Sequence, residues 1–446
     1  MKNKTYALLL ILASFISCDS YIDIPPSGIV SEEELYSSES GVLSALTTLY
    51  IDIPIEDFRF DQQRGFNNSN DYKFQELETA TGLALNRKTD DAANLSGSSG
   101  YSWLSYGTIR NVNKFIINLD KYDAGLTPTK LQTFKAEAYI IRAWYYFAMA
   151  KRFGGVPYVK EVLEYTGPES IPFLKLARNS EQETWDYILA DIDKALEIGL
   201  PVTNGKGRIN RYVAFSLKAQ VAIYVASIAK YNTIMHTDDN TGKLLCGIEA
   251  TKANDYYKIA FEAADSVILS GLYALATTLD ADKSENFRKL FLKPDGSKEV
   301  ILSRYFSYPD HAYRFDIDRL PWGGQSAPNS CPTIGTPGTI TTATGSFTAE
   351  YDTREEFFAG RDARLLASVM VPGSTFQGRI VDVKYGEIDA TGKEQTASKN
   401  RGTYGMGEDG KTPTSMFQKK YLDDSKEHSS TEHDSDQAWI AIRYAE

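Results

Sequence analysis

The residues of this chain best suited to chemistry are aromatics set among turn formers, and the chemistry they suit is the holding of sugars. An aromatic face receives the apolar face of a pyranose, and a few polar side chains around it fix orientation. Trp322 lies in Arg319-Leu320-Pro321-Trp322-Gly323-Gly324, flanked by turn formers and on no periodic face. Tyr308, Tyr313 and Phe315 lie just upstream of it. A second cluster pairs Tyr72 and Phe74 with the amide of Asn70 and the carboxylate of Asp71, in the run Asn67-Asn68-Ser69-Asn70-Asp71. The expectation is a ligand platform built on loops, from Trp322, Tyr308, Tyr313 and Phe315 and from Tyr72, Phe74, Asn70 and Asp71. Trp103 suits helix packing better.

Catalytic patterns are missing. A pair of carboxylates at the right separation would serve glycoside hydrolysis, but among 59 acidic residues such pairs are inevitable and carry no information. No GxSxG elbow or HExxH helix occurs. The four histidines, His236, His311, His428 and His433, are scattered on expected loops. The acidic, Ser-rich run from Asp423 to Asp436 has oxygens for a cation such as Ca²⁺, but it reads first as a solvated loop, and no cofactor is expected.

The elements that must carry the loops are helical in the first half. From Thr129 to Lys151, Leu131, Phe134, Ala138, Ile141, Tyr145 and Ala148 recur at steps of three and four, one face of a helix. Ser180-Glu181-Gln182-Glu183 is a capping box opening a helix with Trp185, Ile188, Leu189, Ile192 and Leu196. Asn210 is placed to cap a helix facing inward through Ala214, Leu217, Val221, Tyr224 and Ile228. Two more are expected, from Asn254 to Ser270 with Gly271 at its end, and a shorter one from Ser105 to Asp120. The many alanines on these faces let axes approach closely, as in stacked helical hairpins. No fixed repeat period emerges. Beyond residue 280, short strand-like runs (Glu299–Phe306, Leu366–Val371, Arg379–Tyr385) alternate with Gly/Pro/Thr/Ser-rich stretches. The expected fold is therefore mainly α, with a loop-rich, short-strand elaboration in the second half.

The N-terminus speaks of location. Lys2 and Lys4, an apolar stretch from Tyr6 to Ile16 and a small residue before Cys18 have the plan of a signal peptide. The apolar core is shorter than the ~20 residues that span a bilayer. Phe15-Ile16-Ser17-Cys18 resembles a bacterial lipobox, in which the cysteine is acylated and becomes the mature N-terminus. Residues 19–34, with Pro25-Pro26, read as an extended tether. No other stretch reads as transmembrane. The net charge of −11 and the absence of a basic stripe argue against nucleic acid. With Cys18 lipidated, Cys246 and Cys331 remain, free to form one disulfide.

The segment Arg142-Ala-Trp-Tyr-Tyr-Phe-Ala-Met-Ala-Lys-Arg-Phe-Gly-Gly-Val-Pro157 resembles the hallmark of the SusD/RagB family, nutrient-binding surface lipoproteins of Bacteroidota. In register with it, Trp103, Tyr106, Ile109 and Asn113 are similar to one family helix, and Arg178 through Trp185, Ile188, Asp191, Ala195 and Pro201 to the next. Gly207-Arg208 with Ala214 to Tyr224, Tyr256 to Tyr273, Glu299-Val-Ile and Asp362-Ala-Arg364 also fit. The resemblance implies TPR-like helical pairs decorated by loops and no catalysis. It further implies an outer-membrane, surface-facing site, with Asp19 and Asp23 similar to surface-export signals. The implied partners are an oligosaccharide or other nutrient and a SusC-like, TonB-dependent transporter over which the chain sits as a lid. On this reading 1–17 is the signal peptide, 18–34 the lipidated cysteine and tether, 35–280 the helical region and 281–446 the loop-rich region. Residues 142–157 themselves read as structural.

One departure stands out. The run from Trp439 to Glu446 reads as helix-prone with no C-terminal cap, where the family continues into a further helix pair. The expectation is a chain that stops short, with its last repeat incomplete. A contrasting reading keeps the lipid anchor but makes the stack an assembly module that binds only protein; a glycosidase ranks third.

Overall fold

The computed structural model describes residues 30–55, 104–313, 358–371, 374–378, 417–426 and 435–446, with backbone alone at 84–86, 330–332, 379–380, 387–388 and 394–395. Six helices form the scaffold: α1 (Glu39–Ile51), α2 (Tyr106–Lys121), α3 (Pro128–Phe153), α4 (Glu181–Ile198), α5 (Arg211–Tyr231) and α6 (Ala253–Ile268). Each packs on the next in sequence, so the chain builds a stack by adding one helix at a time. This is the expected mainly-α arrangement.

Local chemistry starts most of these helices where the sequence places them. The Ser38 hydroxyl accepts from Gly41 N at 3.2 Å, and Thr127 caps α3 ahead of Pro128. The capping box of α4 is complete: Glu183 N donates to Ser180 Oγ at 3.1 Å, and Ser180 N donates back to Glu183 Oε2 at 2.8 Å. Asn210 Oδ1 accepts from Tyr212 N and Val213 N, satisfying two of the donors orphaned at the start of α5.

One core runs through all six helices. Ala136, Ala138 and Ala143 on α3 and Ala214, Ala222 and Ala226 on α5 are buried, and they allow the close approach that their size predicts. Trp185, Tyr145, Tyr146 and Phe115 fill the remaining volume. Phe147 and Tyr224 make edge contact, and both lie within 6 Å of Trp185. By length and composition α5 alone among the described helices is apolar enough to cross a membrane, which corrects the expectation that no such stretch follows the leader. Its buried face, Val213 through Ala229, packs instead between α4 and α6.

A second core lies beyond α6. It joins α7 (Lys283–Leu292) to Tyr313, Met370, Phe376, Phe417, Tyr421 and Trp439. Two longer strands close it. β1 (Val300–Arg304) pairs antiparallel with β2 (Trp439–Arg443), with Trp439 opposite Arg304 and Arg443 opposite Val300. Arg443 Nη1 donates to Glu299 Oε1 at 3.0 Å, and Tyr444 N donates to the Glu299 carbonyl at 2.7 Å. The C-terminal segment is thus a strand, not the helix-prone run expected: its β-branched and aromatic side chains find a pleated partner in β1. Further differences stand. A helical turn at Glu32–Leu35 begins inside the stretch expected to be an extended tether, α1 adds a helix to those read individually from the expected helical region, and α7 lies in the region expected to be loops. Residues 363–368 form a helix, α8, before the two-residue strand Val369–Met370. Cys246, whose pairing the sequence left open, is a free thiol.

Candidate functional site

Of the eight expected ligand-binding side chains, two lie in described residues. Tyr308 is on the tight loop that follows β1, where Ser307 and His311 bridge backbone to backbone at 2.7 and 3.1 Å. Its ring is 53% exposed, so a loop aromatic with an accessible face is in place. Tyr313, five residues on, is not. Its ring is fully buried, 4.5 Å from Phe306 and edge-on to Trp439, and its backbone pairs with Ser435 in both directions. Tyr313 is therefore corrected from ligand platform to core residue, because the pairing with Ser435 turns it under the loop. Trp322, Phe315, Asn70, Asp71, Tyr72 and Phe74 lie outside the described residues, as do Cys18, Trp103, His428 and His433, and Cys331 is described in its backbone alone.

Around Tyr308 the neighbouring loop is held by a polar contact set. Lys206 Nζ sits 4.1 Å over the Tyr305 ring and pairs with Asp295 at 2.7 Å. Burial, with the Asp295 charge beside it, pushes the Tyr305 hydroxyl up to about 12. A Cβ on Gly207, which has φ +74°, would stand 3.0 Å from the Tyr305 ring, so glycine is what lets this turn close on the tyrosine.

The motif residues of 142–157 do a different job. Arg142, 4% exposed, is bidentate to Asp191: Nε donates to Oδ2 at 2.8 Å and Nη2 to Oδ1 at 2.7 Å. Its Nη1 donates to Asn113 Oδ1 at 2.7 Å, and Asn113 Nδ2 donates to the carbonyls of Val159 and Glu161. The Tyr158 hydroxyl also donates to Asp191. Three helices and the segment leaving α3 are thereby pinned at one point. Burial acts to lower the Arg142 pKa, and the Asp191 hydrogen bonds and charge outweigh it, leaving the guanidinium charged. Burial, and then Asp191, raise the Tyr158 hydroxyl, keeping it a donor.

A second buried carboxylate pins the other edge. Glu137 is fully buried and accepts from Asn204 Nδ2 at 3.0 Å, Arg208 Nε at 3.1 Å and the Tyr50 hydroxyl. That hydroxyl in turn accepts from Ile209 N at 2.8 Å. Burial raises the Glu137 pKa, partly offset by Arg208. Arg142, Asp191 and Asn113 were named from sequence; Glu137 was missed, although a lone carboxylate on the apolar face of α3 is a readable signal. Among the described residues, no group of three or more His, Cys, Asp or Glu could hold a metal ion.

Residues 47–224 match a family model described as starch-binding and associating with the outer membrane, and residues 280–446 match the model of the SusD family. A SusD-like protein of Formosa agariphila, P38, is 26% identical over 236 residues, which is 52% of this chain and 44% of that protein. The match thus spans less than half the length of that relative. A solved SusD-like protein from Bacteroides fragilis superposes with a TM-score of 0.63 at 19% identity, covering 93% of this chain and 74% of its own. A SusD-like carbohydrate-binding protein, also from Bacteroides fragilis, gives a TM-score of 0.57 at 19% identity, covering 93% of this chain and 73% of its own. At such identities these likenesses speak for the fold, a stack of TPR-like helical pairs.

Proposed function

The chain belongs to the SusD/RagB family, and from that premise we propose that it is a non-catalytic, surface lipoprotein that binds an oligosaccharide and delivers it to a SusC-like, TonB-dependent transporter. The observation that carries this reading is the pair of family matches, in chain order, on either side of residue 225 to 279. A carbohydrate-binding neighbour of the same fold supports the ligand class. On this reading Cys18 carries the lipid, whose buried CH₂ groups contribute ~0.8 kcal/mol each to membrane attachment. Tyr308 supplies one sugar-facing ring, and Trp322, Phe315, Tyr72 and Phe74 supply the others, with Asn70 and Asp71 as hydrogen-bonding partners.

One feature favours a protein partner as well. On α5 the side chains of Ile223, Tyr224, Ile228 and Tyr231 line a shallow apolar hollow, with Ile223 54% and Tyr231 69% exposed. Such a face suits either the transporter or, on the second reading, an assembly that binds only protein.

Affinity electrophoresis of the chain from Asp19 onward against a polysaccharide panel tests the glycan reading, with Tyr308→Ala and Trp322→Ala run alongside. Retardation by one polysaccharide, weakened in the variants, is the expected result. No retardation by any polysaccharide would overturn the glycan reading in favour of the protein-only assembly.

A further inference from the structure

Directly beside the Arg142–Asp191 pair lies a cleft of about 290 Å³, enclosed by α2, α3, α4 and the segment after α3. Tyr158 and Tyr187 stack on one another in its wall, with ring centroids 4.6 Å apart and planes 19° off parallel. Lys160 rests its ammonium 4.6 Å over the Tyr187 ring, and Lys194 and the 44%-exposed Ile117 complete the rim.

The charge of this cleft runs against that of the chain. Its lining holds three cations, Arg142, Lys160 and Lys194, and one carboxylate, Asp191, which is already bidentate to Arg142 and accepts from Tyr158. Lys160 has no carboxylate partner among the described residues, only aromatic faces. Lys194 pairs with Glu197 at 3.1 Å, both side chains largely in solvent, a contact worth ~0–1 kcal/mol and readily exchanged. Arg142 gives three of its five N–H donors to Asp191 and Asn113 and is itself one of the residues lining the cleft. A buried guanidinium with spare donors, two solvated ammoniums and a rigid aromatic platform make a receptor for an anion attached to an apolar ring face.

We propose that this cleft binds one anionic sugar unit, a uronate or a sulfated hexose. Its carboxylate or sulfate sits between Lys160 and Lys194, and its ring lies on Tyr187 and Ile117. Lys160 leaves the Tyr187 face to meet the anion, giving up a contact worth ~0.5–1 kcal/mol at an exposed site. The volume is at the lower end of the ~300–1,000 Å³ of small-molecule pockets, room for about one sugar residue. The cleft is built only from described residues and is separate from the Tyr308 loop, so it stands or falls apart from the loop site.

The test is calorimetric titration of the chain from Asp19 onward with methyl glucuronide, glucose 6-sulfate, methyl glucoside and inorganic sulfate, at low and high salt. Methyl glucuronide or glucose 6-sulfate should bind at least about tenfold tighter than methyl glucoside, and weaken with salt. Lys160→Gln and Tyr187→Ala should each weaken that binding about tenfold, the loss expected for one charge-assisted contact or one ring platform. Lys258→Gln, at an exposed pair on α6, should leave it unchanged. Binding by glucuronide alone, or by both anionic sugars, supports the proposal and separates carboxylate from sulfate recognition. Equal affinity for inorganic sulfate, equal affinity for the neutral glucoside, or indifference to Lys160→Gln in a folded variant would overturn it. Loss of polysaccharide retardation in Trp322→Ala with no anionic-sugar binding would leave the loop reading intact and remove this one.

Discussion

Removal of the Asp191 carboxylate is the sharpest test of what holds the helical stack together. In Asp191→Ala, three buried donors lose their acceptor: Arg142 Nε, Arg142 Nη2 and the Tyr158 hydroxyl. Each unsatisfied buried donor costs ~1–3 kcal/mol, and breaking a buried ion pair by deleting one partner costs ~3–5 kcal/mol. Water entering through the adjoining cleft reaches the guanidinium, which puts the expected loss at the lower end, about 3 kcal/mol. In equilibrium urea denaturation followed by circular dichroism, a slope of ~3 kcal/mol/M turns this into a fall of about 1 M in the midpoint. The control is Lys194→Gln, whose solvated pair should leave the midpoint within about 0.2 M. A double variant, Arg142→Met with Asp191→Leu, should recover part of the loss, because it removes the buried charge along with its partner while leaving the Tyr158 hydroxyl and Asn113 Oδ1 without theirs. If Asp191→Ala denatures within about 0.2 M of the parent chain, the pair is not what fixes α3 to α4, and the reasoning fails.

Three more outcomes follow from the same contacts. The Glu183 carboxyl is held down to about 2, first by its hydrogen bond to Lys243 and then by the Ser180 N–H. A depressed folded pKa stabilises above the unfolded value near 4.5, and that stability is lost as pH falls from about 4.5 to about 2. Glu183→Gln should flatten the acid limb of the stability curve in that window by less than ~1 kcal/mol, since the pair is exposed. Glu137 has the opposite sign: burial raises its folded pKa, so its contribution is full below 4.5 and declines as pH rises. Arg208→Ala removes the offsetting cation, and thermal melts of that variant should show the midpoint dropping more steeply from pH 4.5 to 7 than in the parent chain. Gly155→Ala would place a Cβ 2.2 Å from the Asn179 carbonyl and 2.7 Å from Glu181 N, where the chain leaving α3 crosses the start of α4. A loss of ~1–3 kcal/mol by urea melt is expected, and an unchanged midpoint would deny that the crossing is tight.

How much of this was legible depended on how far apart in sequence the partners lie. The caps at Ser180 and Asn210 were readable because donor and acceptor sit within three residues, and the inward faces of α3, α4 and α5 because their period is local. α1 escaped notice because Gly41 and two threonines blur its pattern, and its burial is set by α2 and α3. β2 was misread because Trp439-Ile-Ala-Ile-Arg443 is a short apolar run, ambiguous between helix and strand until β1 supplies a ladder. The motif around Arg142 drew the eye as a string, but its meaning is the meeting with Asn113 and Asp191, each from another helix. The cleft beside it could not be seen at all, since Ile117 on α2, Lys160 after α3, and Tyr187 and Lys194 on α4 come from three separate segments. Of the loop aromatics, sequence placed Tyr308 and Tyr313 alike; only the pairing of Tyr313 with Ser435 tells the exposed ring from the buried one.

The clasp of β1 with β2, locked by Arg443 on Glu299, holds Arg304 opposite Trp439, so the two ends of the segment between them are fixed side by side. Closing a loop costs entropy only as the logarithm of its length, about 0.6 kcal/mol for each doubling. The stack therefore pays almost the same whether the suspended segment is short or long. On the proposed reading, the ligand-contacting segment between the strands can change in length while the six helices and their buried ion pairs stay as they are. In that sense the clasp is a socket into which different recognition surfaces can be fitted.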